Sequence, residues 1–192
     1  MEASIRAILV RHETLRTRFP VVNDRPTQVV DALGEDWTLD FTDLTNEQGD
    51  PHETARLLAD LQAATSFDLA TGPLFRCAPL RLSETEHLLS VTMHHIVSDA
   101  WSVGLLVREL SALYEAGGDA DRAGLAELPI QYRDYAVRQR KSLSGAALRR
   151  EVGYWGERLA DPPLPLALPT RRSLAPLRPL PATTWNWLFR SR

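Results

Sequence analysis

The sequence has a single cysteine, Cys77, which excludes an internal disulfide framework and any multi-cysteine zinc site. It has no apolar run near the roughly 20 residues that a membrane span needs. It also lacks a basic-then-apolar leader, so a cytoplasmic location is the default expectation. Neither charge sign dominates: 22 Lys and Arg stand against 25 Asp and Glu, a formal net charge of −3. That balance gives no electrostatic reason to expect nucleic acid or an anionic membrane as a partner. Internal repeats are absent. What is there is an ordinary globular composition, 44% hydrophobic and 24% charged over 192 residues. That is enough for one domain, or slightly more, with a real core. Function has to come from local motifs.

Residues 1–19 read as a helix, with Ile5, Ile8, Leu9, His12 and Leu15 at three- and four-residue spacing and Pro20 as the stop. No capping signal precedes it, so a further segment upstream is expected. Residues 27–31 and 37–42, rich in Val, Thr and aromatics and separated by Gly34, read as strands. Asp50-Pro51-His52-Glu53 is a helix start with a cap, a proline at the first position and a capping-box glutamate. Ala55, Leu58, Leu61 and Ala64 form its expected buried stripe. Residues 74–82 and 87–93 flank a polar turn and predict an antiparallel hairpin. A helix follows over 100–116, with Leu105, Leu106, Leu110 and Leu113 inward and Gly117-Gly118 as its end. Two more helices are expected over 130–141 and 146–160. Between Pro162 and Pro181 lie seven of the 13 prolines, an extended linker by composition. Residues 173–192 read as an irregular tail of Pro, Arg and Trp. The order αββα then ββαα predicts an α/β fold, a mixed sheet flanked by helices.

One constellation carries chemistry. In Met93-His94-His95-Ile96-Val97-Ser98-Asp99-Ala100-Trp101, a strand gives way to a helix. Strand alternation puts Leu89, Val91, Met93 and His95 on one face and Leu88, Ser90, Thr92 and His94 on the other. Adjacent histidines on opposite faces, with no third ligand at a suitable spacing, disfavour a metal site. No Gly-x-Ser-x-Gly elbow surrounds Ser90 or Ser98, which disfavours a serine nucleophile. A histidine at a strand end is well placed for proton transfer, because a rigid sheet holds the ring at a cleft. The same pattern is also met as a polar strand end, with Asp99 as an ordinary helix cap.

These residues resemble the HHxxxDG signature of nonribosomal peptide synthetase condensation domains, with Ala100 where the motif has Gly. Three more segments resemble that family in its order. Residues 11–19, from Arg11 to Phe19, are similar to RHExLRTxF. Phe67-Asp68-Leu69 with Gly72-Pro73-Leu74-Phe75-Arg76 is similar to FDLxxGPLxR. Residues 130–140 are similar to YxDYAxWQ, with Arg138 in place of the usual Trp. Tyr154-Trp155 and Leu168-Pro169-Thr170 match the segment that follows. The resemblance covers residues 1–172.

The resemblance implies one lobe of a two-lobed fold similar to chloramphenicol acetyltransferase. Residues 1–172 would form the N-terminal lobe, shortened at its start, with 173–192 as a tail outside it. It implies amide formation between a donor acyl or peptidyl thioester and an acceptor aminoacyl thioester. Both would be delivered on phosphopantetheine arms, with no cofactor bound by this chain. The partners implied are carrier protein domains, the second lobe and neighbouring synthetase modules. His95 matches the second motif histidine, either a general base or a hydrogen-bonding positioner of the amine, and His94 matches a structural first histidine. Asp99 matches a brace held by an arginine, with Arg11 favoured over Arg16; if that pair is buried, removing Asp99 would strand a charge. At Ala100 the backbone amide can still face substrate if φ is negative. Two alternatives stand beside this reading: a CoA-dependent acyltransferase of the same superfamily, and a non-catalytic remnant that docks without turnover. With the second lobe absent, the isolated chain is expected to be poorly soluble or to self-associate and to show little condensation activity.

Overall fold

The computed structural model describes residues 1–161 and 183–190, the latter as backbone. The described residues fall into two compact units. The first runs from Met1 to Gln131 and includes the C-terminal strand; the second contains two helices that follow Gln131.

The first unit is built on the hairpin that the sequence predicts. β6 (Phe75–Arg81) and β7 (Glu86–Met93) pair antiparallel, with Phe75 opposite Met93 and Arg81 opposite His87. Alternation along β7 sends Leu89, Val91 and Met93 to one face. There they pack with Phe75, with Ile5, Ile8 and Leu9 of α1 (Glu2–Arg11), and with Leu106, Leu110 and Leu113 of α3 (Ala100–Glu115). The opposite face is covered by α2 (Pro51–Ala64), whose Ala55 packs with Leu44, Leu80 and Leu82. β7 is therefore buried on both sides. Buried Thr92 takes a hydrogen bond from Gln62 Nε2 at 3.2 Å, whereas the hydroxyl of Ser90 is buried without a hydrogen bond among the described residues.

Several expectations are corrected. The first helix stops at Arg11, not at residue 19; a short 3-10 turn, Glu13–Arg16, and β1 (Thr17–Arg18) follow. β1 pairs with β4 (Val29–Val30), after a small ribbon of β2 (Val21–Val22) and β3 (Arg25–Pro26). Arg16 stabilises this turn by donating to the carbonyls of Leu9 and Asp31 at 2.9 and 2.6 Å. Residues 37–41 form no strand; Trp37 and Leu39 are drawn to the core, and only β5 (Thr42–Asp43) pairs, parallel to β6. On α2, Asp50 caps as expected by accepting the His52 N–H at 2.9 Å. Its buried contacts come from Ala55 and Ala59 rather than Leu61, which is 56% exposed. Small side chains let the helix backbone approach the sheet closely, which turns the stripe away from Leu61.

The tail is also corrected. Thr183-Thr184-Trp185-Asn186-Trp187-Leu188-Phe189-Arg190 forms β8 (Thr183–Arg190), antiparallel to β7 along its whole length, in a sheet ordered β5-β6-β7-β8. The prolines end at Pro181, and the Thr- and aromatic-rich stretch beyond them suits a strand. The edge of β7 supplies its unpaired backbone partners. The proline-rich stretch read as a linker lies outside the described residues.

The second unit shows α4 (Tyr132–Ser142) and α5 (Gly145–Arg158), close to the expected spans, with no buried residue in either. No helix among the described residues is long and apolar enough to cross a membrane.

Candidate active site

The site grows out of the end of β7. The ladder closes at Met93, and the chain turns over residues 94–97 before α3 begins. His94 organises that turn. Its N–H donates to the Leu74 carbonyl at 3.0 Å, and its carbonyl accepts the Val97 N–H at 3.1 Å and the Ser98 hydroxyl at 3.3 Å. Its ring accepts the Ile96 N–H on Nδ1 at 3.0 Å and meets Phe67 edge-on, with ring centroids 5.9 Å apart. Arg76 also lies over that aromatic ring, 4.0 Å from its centroid, and donates to the carbonyls of Thr65 and Ser66. The FDLxxGPLxR-like stretch is thus the support for His94, with Gly72 at φ 65 supplying a left-handed turn that disfavours a side chain.

His95 takes the opposite role. It is exposed at the tip of the turn, as are its neighbour Ile96 and, in the first turn of α3, Trp101, which is 86% exposed. Strand alternation would have put His95 on the buried face with Met93; because the ladder ends at Met93, the turn rather than the alternation presents His95 to solvent.

Asp99 caps α3. Its Oδ1 accepts the Ser102 N–H at 2.8 Å, and the Ser102 hydroxyl accepts the Asp99 N–H at 2.7 Å, a reciprocal box. The Ser102 N–H, then the Ser102 hydroxyl, hold the Asp99 carboxyl below its ordinary value of 3.8, and the charge of nearby His95 adds to the effect. Ala100 opens the helix and is not among the residues with positive φ, so its methyl costs no backbone strain.

The expected Arg11 brace to Asp99 is not what the structure holds. Arg11 instead pairs with Glu109, Nε to Oε2 at 3.0 Å, and Arg16 is spent on two backbone carbonyls. The reason is positional: Arg11 ends α1, which packs along the middle of α3, whereas Asp99 sits at the exposed start of α3. Burial alone would raise the Glu109 carboxyl, but hydrogen bonds from His12 and Arg11, and their charges, hold it below the ordinary 4.5. Sequence reasoning passed over Glu109, although a glutamate three residues after Leu106 and four before Leu113, on an apolar helix stripe, is itself a sign of a buried partner. Among the described residues, no three His, Cys, Asp or Glu are grouped to hold a metal ion.

The chain belongs to the condensation domain family, whose model matches residues 1–183. It is 43% identical over 190 residues to a linear gramicidin synthase protein of Brevibacillus parabrevis, a match covering 98% of this chain and 2% of that protein. Its fold is similar to the starter condensation domain of rhizomide synthetase RzmA, with a TM-score of 0.73 and 22% identity over 85% of this chain and 39% of that one. It is also similar to a chain in the complex of the X-domain and OxyB from teicoplanin biosynthesis, with a TM-score of 0.75 and 29% identity over 90% of this chain and 37% of that one. The α/β lobe is thus of the chloramphenicol acetyltransferase-like kind that condensation domains share. The chain spans about two-fifths of those solved structures and a far smaller part of the synthase.

Proposed function

We propose that this chain supplies the histidine-bearing lobe for amide formation in nonribosomal peptide synthesis. The donor is an acyl or peptidyl thioester and the acceptor an aminoacyl thioester, each carried on the phosphopantetheine arm of a carrier protein. The observation that supports this most directly is the division of labour between the two histidines. His94 is consumed in building the turn, whereas His95 is exposed at its tip, where its ring would meet substrate. Attack by an amine on a thioester carbonyl needs the amine unprotonated and held close to the carbon. His95 serves either by accepting a proton from the nitrogen or by accepting a hydrogen bond that orients it. Exposed Ile96 and Trp101 give the surface beside it an apolar character suited to an acyl chain. Asp99 acts through the helix cap, fixing where α3 starts and so where the turn ends. No cofactor enters the reading; the pantetheine arms belong to the carriers.

The activity is proposed for this lobe together with the rest of a condensation fold. The test supplies a second-lobe fragment of a related condensation domain in trans, with donor and acceptor carrier thioesters, and follows the amide product by mass spectrometry. Product is expected with the parent lobe and is reduced about 100-fold or more by His95→Ala; the chain alone yields little. Acylation of a free amine or alcohol from CoA, without carriers, would instead establish the acyltransferase alternative.

A second reading, a docking fold without turnover, is favoured by the likeness to the teicoplanin X-domain, which is described in complex with OxyB. Stable complex formation with a synthetase partner, unaffected by His95→Ala and without product, would favour it.

A further inference from the structure

The corner where α1 ends carries a buried charge cluster that the chemistry above does not use. Glu109 lies on the apolar stripe of α3, its side chain 7% exposed. Its Oε2 accepts from Arg11 Nε at 3.0 Å and meets His12 Nε2 at 2.7 Å, and its Oε1 lies 3.5 Å from Arg11 Nη2. An ionised carboxylate only accepts, so His12 Nε2 carries the proton in this contact. Arg11 also donates to the Ala126 carbonyl at 2.6 Å. Gln131 then closes the corner: its amide donates to the Arg11 carbonyl at 2.9 Å and its oxygen accepts the Glu13 N–H at 3.2 Å. Three stretches distant in sequence, 11–13, 109 and 126–131, are tied together here.

His12 also reaches the motif turn. It lines a void of about 40 Å³ together with Thr14, Val97, Ser98 and Ser102. Val97, in the turn that displays His95, is buried. The turn is hinged to the sheet where the His94 N–H donates to the Leu74 carbonyl, while the hydrogen bonds beyond that hinge are local, running from His94 to residues 96–98. Such bonds set the shape of a turn but not its orientation on the body of the protein; orientation needs a floor.

We infer that His12 and Glu109 are positioning residues for His95. Glu109, fixed on α3 by Arg11, holds the His12 ring as the floor against which Val97 and Ser98 rest. This rests on the reading of His95 as the group that meets substrate, and it adds to that reading the residues that aim it.

The test is amide hydrogen exchange by NMR on the full 192-residue chain, with Glu109→Gln and His12→Ala compared with the parent. The expected result is that the Ile96 and Val97 amides exchange about tenfold faster in either variant while ladder amides such as Val91 keep their parental rates, the signature of local opening. The His95 ring signal shifts or broadens at the same time. Equal acceleration of ladder and turn overturns the inference, because it reports only lost global stability. Unchanged turn amides in His12→Ala also overturn it, because the turn is then self-supporting. Should Glu109→Gln fail to fold, His12→Ala decides, since it leaves the Arg11–Glu109 pair in place. The measurement needs neither carriers nor turnover. A failed amide-forming assay would therefore count against the proposed activity alone.

Discussion

Two neighbouring histidines illustrate how residue-level environment separates roles that residue type cannot. His95→Ala removes an exposed ring and is expected to leave urea stability within about 0.5 kcal/mol of the parent. His94→Ala strips an acceptor from the Ile96 N–H and the edge contact to Phe67, and is expected to cost about 1–2 kcal/mol by the same measurement. Arg11→Ala leaves Glu109 buried beside His12 alone and is expected to cost about 3 kcal/mol. The folded state holds the Glu109 carboxyl below its ordinary 4.5. Its contribution is therefore full above that value and is lost as pH falls through the lower folded one. A plot of unfolding free energy against pH shows this as an acid-side decline that Glu109→Gln flattens. Burial pushes the Cys77 thiol up to about 12, so a thiol reagent at pH 8 is expected to label it only on unfolding.

At the scale of elements, what decides is whether a segment's structure is specified by its own residues. The β6–β7 hairpin and α3 have strong periods and clear ends, and both were legible; the turn that follows β7 carries His94 and His95, and Asp99 caps α3. Of the two-residue strands, β1 to β3 were not, β4 fell inside the expected 27–31 and β5 met the expected 37–42 only at Thr42, because each exists only through a partner elsewhere in the chain. Asp99 belongs to this scale as well. As a cap rather than a buried brace, its loss in Asp99→Ala is expected to lower helicity by circular dichroism slightly, and Asp99→Asn to restore it, since Asn caps about as well. A requirement for the negative charge itself would contradict the capping role. The true partner of Arg11 was not legible, because motif order places two residues in one family pattern without saying which face of α3 each meets.

For the whole molecule, the critical feature is that β7, the strand that carries the motif, lies between β6 and β8. Replacing Asn186, opposite Ser90 in the register, with proline would remove an amide from the centre of β8 and strain the strand. Its detachment would leave a long, largely apolar edge open. The expected outcome is concentration-dependent association in analytical ultracentrifugation, with the parent sedimenting as a smaller species. Unchanged sedimentation would mean that β7 needs no cover on that side.

Local chemistry in the chain determined α2 to α5, the central hairpin, the Asp50 and Asp99 caps and the histidine motif, because hydrogen-bond geometry and hydrophobic period act over a few residues. Only the tertiary structure decided that Arg11 and His12 converge on Glu109, that the C-terminal stretch joins the sheet, and that Ala55 and Ala59 rather than Leu61 face it. Each of these is a choice among partners many residues apart. It is settled by which pairing buries apolar surface and leaves no charge or backbone group unsatisfied.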